Sequence, residues 1–356
     1  MNLFDSFQIR DVSFRNRVAV SPMCEYSSED GFANDWHLVH LGARAVGGAG
    51  TVLTEAAAVV PEGRISPSDL GIWRDEHIDN LARIVRFLRQ HGAVAGTQLA
   101  HAGFKASTAV PWRNQGTAVV TVADGGWRPI YSSTARGFTP ESIQPEALTA
   151  EGIARIAHAF SEAARRSLQA GFELVEIHGA HGYLIHQFLS PLVNTRTDQY
   201  GGTFENRTRI LREIIEAVRS VWPERLPLWL RISASDWTEG GWTIEDSVAL
   251  ARQVKPLAVD LIDSSSGGIV PKAKLPLGPG YQTAFAERIR RESGILTGAV
   301  GMIIAPEQAQ HIIATGQADI VLLARELLRD PYWPLRAARA LSQHIAWPKQ
   351  YERARL

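Results

Sequence analysis

The chain has 356 residues, of which 45% are hydrophobic, enough to bury a large core. Lysine plus arginine and aspartate plus glutamate both number 37, so no net field attracts nucleic acid or an anionic membrane surface. No signal-peptide pattern or apolar run of ~20 residues occurs, and the single cysteine, Cys24, cannot form an intrachain disulfide. We therefore expect a cytoplasmic protein whose partner is a small molecule, with neither nucleic acid nor a membrane involved.

Short apolar segments alternate with helical stretches along the whole chain. The apolar segments have the length of buried parallel strands, and the stretches between them carry apolar residues at helical spacing. This pattern predicts one domain over residues 1–356, a (β/α)8 or TIM barrel, with the apolar helix faces against the strands. The predicted strands are residues 17–21, 51–55, 94–99, 174–177, 228–232, 259–263, 295–299 and 319–323. The predicted helix faces include Ile78, Leu81, Ile84, Val85 and Leu88, and also Ile153, Ile156, Ala157, Phe160 and Ala164.

Four segments lie outside the repeating unit. Residues 7–14 alternate in part like a β-hairpin, which we expect to cap the barrel floor. Residues 102–148 are interrupted by glycine and proline and predict a long loop over the top face after the third strand. Residues 179–204 form a second excursion, and residues 343–356 are too polar for the core and form a C-terminal tail.

The C-terminal ends of the predicted strands carry most of the unusual polar and glycine residues, where barrel enzymes place their chemistry. Glycines after the seventh strand and Arg325 after the eighth suit a phosphate, which backbone N–H groups and a guanidinium can bind. Many barrels share this feature. From the residues alone, Arg231 could equally form a structural ion pair, and His178 with His181 could form a metal pair or serve as structural imidazoles.

Longer motifs lie at these strand ends and between them. They are S-P-M-C-x-Y at 21–26, P-E-G-R-I at 61–65, Q-L-A-H-A-G at 98–103, H-G-A-H-G-Y-L-x-H-Q-F-L-S-P at 178–191, R-T-D-Q-Y-G-G-x-x-E-N-R at 196–207, R-I-S-A-S-D at 231–236, T-G-A-V-G-M-I at 297–303 and R-E-L-L-R-D-P at 325–331. Together they resemble the motifs of the old yellow enzymes, specifically the cysteine-containing, thermophilic-like branch that includes the xenobiotic reductases. The resemblance covers nearly the whole chain. It implies non-covalently bound FMN, NADPH or NADH as reductant, and hydride transfer to the activated C=C bond of α,β-unsaturated carbonyl or nitro compounds.

The resemblance also implies the residues that contact FMN. Arg231 would stabilise the negative charge of the reduced ring, and Gln98 offers a donor and an acceptor to its amide edge. Cys24 would tune the flavin potential, although a lone cysteine can also be a small buried hydrophobe. The implied contacts are Ser21, Pro22, Met23, Cys24, Ala56, Gln98, Arg231, Gly301, Ala324 and Arg325.

The same resemblance implies the catalytic and substrate-binding residues. His178 and His181 would donate hydrogen bonds to the substrate's carbonyl or nitro oxygen, and Tyr183 would protonate the α-carbon. Tyr26 would line the substrate pocket. The tail would reach the neighbouring subunit's site in a homodimer or homotetramer, with Arg353 as its cation. No metal is implied.

The sequence departs from the family pattern at two positions. Phe104 stands where many members have arginine, which removes a positive charge from the top face. Ala324 stands where glycine is frequent, which matters only if that position needs a positive φ angle.

Three other functions remain open at this stage. A metal-dependent hydrolase would use His178 and His181, and a Schiff-base lyase would need a lysine, yet none of the five lysines stands at a predicted strand end. The third alternative is a non-catalytic flavin-binding protein, against which the combination of both histidines with Tyr183 argues.

Overall fold

The computed structural model describes residues 1–113 and 119–355, and its centre is a closed barrel of eight parallel strands. Each strand pairs with the next in the barrel, and the last pairs with the first, so the predicted TIM-barrel class and its eight strands are confirmed. The second barrel strand runs three residues beyond its predicted end, past a register shift between Leu53 and Ala56. The barrel strands are β3 (Val18–Val20), β4 (Thr51–Ala58), β5 (Val94–Ala100), β8 (Leu174–Gly179), β9 (Leu228–Ser233), β10 (Leu261–Ser265), β11 (Leu296–Ala299) and β12 (Ile320–Leu323).

Helices surround the barrel and bury the faces that their apolar spacing predicts. All five apolar residues predicted for the third helix are buried, and in the second helix only Ile78 lies at the margin. No helix in the described ranges is both long and apolar enough to cross a membrane. The helices are α1 (Asp35–Val46), α2 (Ile78–Gln90), α3 (Ala150–Gln169), α4 (Leu184–Leu189), α5 (Phe204–Arg207), α6 (Arg209–Arg219), α7 (Ile244–Val254), α8 (Thr283–Ser293), α9 (Pro306–Ala314), α10 (Arg325–Arg329) and α11 (Trp333–Ala340).

The predicted N-terminal hairpin is confirmed as the antiparallel pair β1 (Phe7–Ile9) and β2 (Val12–Phe14). Phe14 is fully buried and stacks on Trp229 near the start of β9, with ring centroids 6.0 Å apart. The hairpin therefore closes the N-terminal end of the barrel and leaves the other end for the functional residues.

The predicted long loop after the third barrel strand is also confirmed. Its described residues form short turns and a two-residue parallel pair, β6 (Tyr131–Ser132) with β7 (Glu146–Ala147). The second excursion contains α4, whose six residues are all buried. Hydroxyl groups of Ser132 and Ser133 both donate to Gln187 of α4, so the long loop is tied to the chain that follows β8.

Candidate active site

The C-terminal ends of the barrel strands form one rim, and many of the predicted site residues meet there. In the strand register His178 lies opposite Arg231. Ser21 directly follows β3, and its hydroxyl accepts a 3.0 Å hydrogen bond from Nη1 of Arg231. Closure of the barrel thus joins two residues that are 210 positions apart in the sequence.

Three ring side chains form a compact cluster at the end of β8. The ring centroid of His178 lies 5.2 Å from that of His181 and 5.0 Å from that of Tyr183, with interplanar angles of 82° and 75°. Rings in edge-on contact at these distances can all reach one small molecule.

The hydrogen bonds of His178 define its tautomer. Its Nδ1 accepts from the N–H of Ala180 at 3.3 Å, so the proton of the neutral ring lies on Nε2. Burial, and then the charge of Arg231, hold the pKa of His178 well below its usual range. Within the described residues Nε2 has no hydrogen-bond partner, and it can therefore donate to a ligand.

His181 is fixed by two serines and by an unusual backbone conformation. Its φ angle is 59°, a left-handed value that is uncommon outside glycine. Its N–H donates to Oγ of Ser233 at 2.9 Å, and its Nε2 lies 2.7 Å from Oγ of Ser265. Burial, followed by the charges of Arg231 and His178, lowers the pKa of His181 well below its usual range. Both histidines are therefore neutral hydrogen-bonding groups near pH 7.

Gly182, between His181 and Tyr183, is held on both sides by α4. Its N–H donates to Nδ1 of His186 at 2.9 Å, and its carbonyl accepts from Nε2 of Gln187 at 2.7 Å. Its φ angle is 73°, and an added Cβ would lie 2.2 Å from the carbonyl oxygen of Gly268. Only glycine fits, and consecutive helix residues bind both of its backbone polar groups.

A buried carboxylate holds His186 in turn. Nε2 of His186 lies 2.8 Å from Oδ1 of Asp236, and both side chains are fully buried. Oδ2 of Asp236 accepts from Oγ of Ser190 at 2.6 Å and from the N–H of Trp242 at 2.7 Å. Burial opposes ionisation of Asp236, but His186 and these hydrogen bonds outweigh it and lower the pKa of the carboxyl. Both residues stand within the sequence motifs, but the sequence indicated no role for either of them.

Lys105 is a third residue whose role the sequence did not show. It ends the helical turn Gly103–Lys105 after β5, and its Nζ donates to the carbonyls of His181 at 2.7 Å and Gly268 at 2.6 Å. The ammonium lies 4.3 Å from the ring centroid of Phe138 and 5.5 Å from that of Tyr183. Burial lowers its pKa to about 7. The amine therefore borders the site, but two backbone carbonyls engage it.

A cavity of about 370 Å³ opens beside Tyr183 on the side of the long loop, a size typical of small-ligand sites. Tyr26 shares this cavity and packs edge-on against Trp112, with ring centroids 5.8 Å apart. Phe104 is buried and packs on Phe138 in an apolar cluster, so it contributes an apolar wall to this cavity. Burial raises the pKa of Tyr183 well above its usual range, so its phenol is protonated at neutral pH.

A second cavity of about 370 Å³ lies where β11 and β12 end, and it fits a flavin phosphate group. Gly301, Ala324 and Arg325 line it, and within the described chain the guanidinium of Arg325 has neither a hydrogen-bond nor an ion-pair partner. Gly301 has a φ angle of 116°, and an added Cβ would lie 2.6 Å from Nε2 of Gln282. Because both residues line the cavity, a side chain at this position would occupy part of it. The φ angle of Ala324 is −104°, so alanine is tolerated there.

Most of the predicted ring-binding residues follow β3 or lie on β4 and β5, the strands between β12 and β8 in the barrel order. Pro22, Met23 and Cys24 follow Ser21 after β3, and Ala56 lines a small cavity together with Tyr183. Burial, followed by the charges of Asp69 and Glu55, raises the pKa of Cys24 well above its usual range, so the group is a thiol at neutral pH. A thiol at this position is a weak nucleophile.

The structure places Arg353 away from the C-terminal strand ends of its own barrel. Arg353 is exposed on the helical turn Lys349–Ala354, and residues 346–350 share a cavity with Arg15 and His91 on the N-terminal side of the barrel. The structure therefore does not bring Arg353 to the site of its own chain. Among the residues that the structure describes, no group of three or more His, Cys, Asp or Glu side chains could hold a metal ion.

Known proteins resemble this chain over almost its full length. The model of the NADH:flavin oxidoreductase / NADH oxidase family matches residues 2–344. The NADPH dehydrogenase of Geobacillus sp. (strain WCH70) is 49% identical over 99% of this chain and 98% of its own length. The structure of a 2-naphthoyl-CoA reductase complex matches with a TM-score of 0.85 and 25% identity over 95% of this chain, which spans only 52% of that protein. Morphinone reductase shares the fold, with a TM-score of 0.79, 24% identity and coverage of 98% of this chain and 91% of its own.

The barrel, the cavity lined by Gly301 and Arg325, and these relatives define a flavin-dependent oxidoreductase that uses FMN with a nicotinamide reductant. The chain belongs to the NADH:flavin oxidoreductase / NADH oxidase family, and the resemblance to the old yellow enzymes is thereby confirmed.

Proposed function

We propose that this oxidoreductase is an ene-reductase that reduces the activated C=C bond of α,β-unsaturated carbonyl or nitro compounds. The observation that carries the proposal is the cluster of His178, His181 and Tyr183. The ring of His178 lies 5.2 Å from that of His181 and 5.0 Å from that of Tyr183, and Tyr183 lines a partly apolar cavity. FMN, when bound, supplies the hydride chemistry between NAD(P)H and the alkene. The chain's own residues bind the substrate, polarise it and supply the proton.

In this proposal the residues that follow β3 and those on β4, β5 and β9 hold the flavin ring, and the residues that follow β11 and β12 hold its phosphate. Arg231 supplies a positive charge to the pyrimidine edge, and Arg325 is the cation for the phosphate. The partnerless guanidinium of Arg325, considered within the described residues, supports this assignment. The proposed contacts are Ser21, Pro22, Met23, Cys24, Ala56, Gln98, Arg231, Gly301, Ala324 and Arg325.

We assign the substrate's oxygen to the two neutral histidines. Nε2–H of His178 and the ring of His181 donate to that oxygen and stabilise the enolate-like charge that grows on it in the transition state. Tyr183, protonated at neutral pH, then gives its phenolic proton to the α-carbon, and Tyr26 forms part of the pocket wall.

Stopped-flow mixing of reduced enzyme with 2-cyclohexenone tests the proposal. His178→Ala and His181→Ala should slow flavin reoxidation by ~10²-fold or more, as loss of an oxyanion donor does. Tyr183→Phe should slow the same step while FMN binding and the visible spectrum stay unchanged. The control is Tyr200→Phe, the same change at a hydroxyl that bonds Glu213 of α6, away from the strand-end rim. Parental reoxidation rates in all three site variants would refute the proposal.

We also propose that the enzyme works in the cytoplasm as a homodimer or homotetramer, in which the tail, residues 343–356, enters the neighbouring site. Arg353 would then supply a cation to the partner's substrate pocket. The exposure of Arg353, and its distance from the strand-end rim of its own barrel, support this arrangement.

A further inference from the structure

The barrel interior below the rim holds two carboxyl groups and one guanidinium, which we call the lumen trio: Glu176 on β8, Arg231 on β9 and Asp263 on β10. Glu176 and Asp263 are 0% exposed, and Arg231 is 5% exposed. Strand β9 lies between the other two, and Asp263 stands opposite Arg231 in the strand register. All three groups therefore lie away from water in neighbouring strands.

The charges of the lumen trio do not balance if both carboxyls are ionised. Nε of Arg231 lies 3.1 Å from Oδ2 of Asp263, although its N–H is not directed at that oxygen. Oε1 of Glu176 accepts from Nε2 of Gln98 at 2.8 Å, and its Oε2 has no partner within the described residues. One guanidinium can compensate one carboxylate, and a second buried carboxylate without a cation is strongly disfavoured. The pair must hold a proton.

The surroundings of the two carboxyls set the pH at which that proton leaves. Burial, and then the charge of Asp263, raise the pKa of Glu176 to about 8 against the opposing effects of Arg231 and Gln98. Burial raises the pKa of Asp263 to about 6 against the effect of Arg231. Because the carboxyls interact, these values describe the pair, which loses its shared proton near pH 8.

We propose that Glu176 and Asp263 share a proton that follows the redox state of the enzyme: the pair binds one proton from solvent when two electrons enter FMN and releases it when they leave. The inference rests on the proposed contact between Arg231 and FMN. NAD(P)H supplies the electrons as hydride, solvent supplies the shared proton, and that proton returns to solvent on reoxidation. The proton that Tyr183 gives to the alkene is a separate one.

Arg231 links the arrival of electrons on FMN to the binding of a proton by the two carboxyls. Its Nη1 bonds Ser21 at the rim while its Nε faces Asp263 below. Negative charge that arrives at the rim competes for the same guanidinium and repels the carboxylates. As a general scale, a unit charge about 8 Å from a carboxyl, at an effective dielectric of about 20, shifts its titration by on the order of one to two pH units.

Infrared difference spectroscopy of the native enzyme, reduced minus oxidised at about pH 8.5, tests the proton directly and needs no variant. We expect a new band from a protonated buried carboxyl, which shifts in D2O. The band should vanish in both Glu176→Gln and Asp263→Asn, because each variant leaves one carboxylate and one guanidinium in the lumen trio, and that carboxylate stays ionised. Absence of the band in native enzyme would overturn the proposal.

The pH dependence of the flavin midpoint potential gives the second readout. For a two-electron couple each bound proton adds about 30 mV per pH unit, so the native slope near pH 8 should be steeper by that amount than the slope of either variant. The control is Glu173→Gln, a half-buried carboxyl before β8 at the opposite end of the strand, paired with Arg89, which should keep the native slope. Equal slopes in native enzyme and both variants would disprove the coupling. No alkene is involved, so failure of the ene-reductase proposal would leave both results unchanged.

Discussion

Replacing Asp236 by asparagine tests whether the buried pair with His186 positions the catalytic residues. The carboxylate accepts from His186, Ser190 and the N–H of Trp242, whereas asparagine has one oxygen and an NH₂ group. If the amide oxygen of the asparagine faces His186, the NH₂ group faces the N–H of Trp242, and two donors meet. If its NH₂ faces His186, the ring proton must move to Nδ1, which faces the N–H of Gly182. Either orientation leaves one buried backbone donor without an acceptor.

The expected loss of stability follows from that conflict. An unsatisfied buried donor costs about 1–3 kcal/mol, and a hydrogen bond to a charged group contributes about 1.5–3 kcal/mol, so we expect a loss of about 3 kcal/mol. A chain of 356 residues has an unfolding entropy of roughly 0.75 kcal/mol/K, so the Tm should fall by about 4 °C. When Gly182 is the residue that loses its partner, His181 and Tyr183 move with it, and flavin reoxidation by an enone should slow by ~10-fold or more.

Differential scanning calorimetry between pH 3 and pH 8 measures the loss of stability in Asp236→Asn and its pH dependence. The pKa of Asp236 in the folded chain lies below its unfolded value of about 3.9, so the carboxylate stabilises the native state above that pH. Its contribution is lost as the pH falls through the folded pKa. Asparagine does not titrate, so the Tm gap between native protein and variant should be constant above about pH 5 and narrow below about pH 4.

A matched control separates the buried pair from the chemical change itself. Asp30→Asn makes the same substitution in an exposed ion pair with Arg74, which is worth about 0–1 kcal/mol, so the Tm should move by no more than about 1 °C. A Tm for Asp236→Asn within 1 °C of the parental value, together with an unchanged reoxidation rate, would refute the positioning role.

Three further predictions address the cofactor and the tail. Gly301→Ala should weaken FMN binding by tenfold or more in apoenzyme titrations, because the added Cβ contacts Gln282 in the cavity. The control is Gly240→Ala, which also replaces a glycine of positive φ angle but adds its Cβ to open space, and which should bind FMN normally. Cys24→Ser should shift the flavin midpoint potential in redox titration and retain turnover, because a neutral thiol tunes the flavin without covalent attack, and complete inactivation with FMN bound would contradict this. Truncation after Trp347 should raise the KM for 2-cyclohexenone and leave FMN bound, and parental kinetics would remove the shared site.

Local sequence patterns were sufficient for the architecture. Short apolar runs predict buried parallel strands because both faces of such a strand are covered, and all eight predicted strands lie in the barrel. The hairpin at Phe7–Phe14 and the loop after β5 follow from local alternation and from glycine and proline. The family, with FMN and a nicotinamide reductant, was also predictable, because long motifs at the strand ends carry it.

Only the tertiary structure showed which side chains meet across the barrel. Gln187 and Lys105 hold the backbone around Gly182, yet Gln187 lies within a motif that suggested no role, and Lys105 does not stand at a strand end. Only the structure shows that Ala324 has a negative φ angle, which alanine adopts without strain. The pairing of Arg231 with Asp263, and the proton that the lumen trio must hold, depend on strand register and barrel closure. Periodicity reports whether a residue is buried, whereas its partners are set by contacts between segments far apart in the chain.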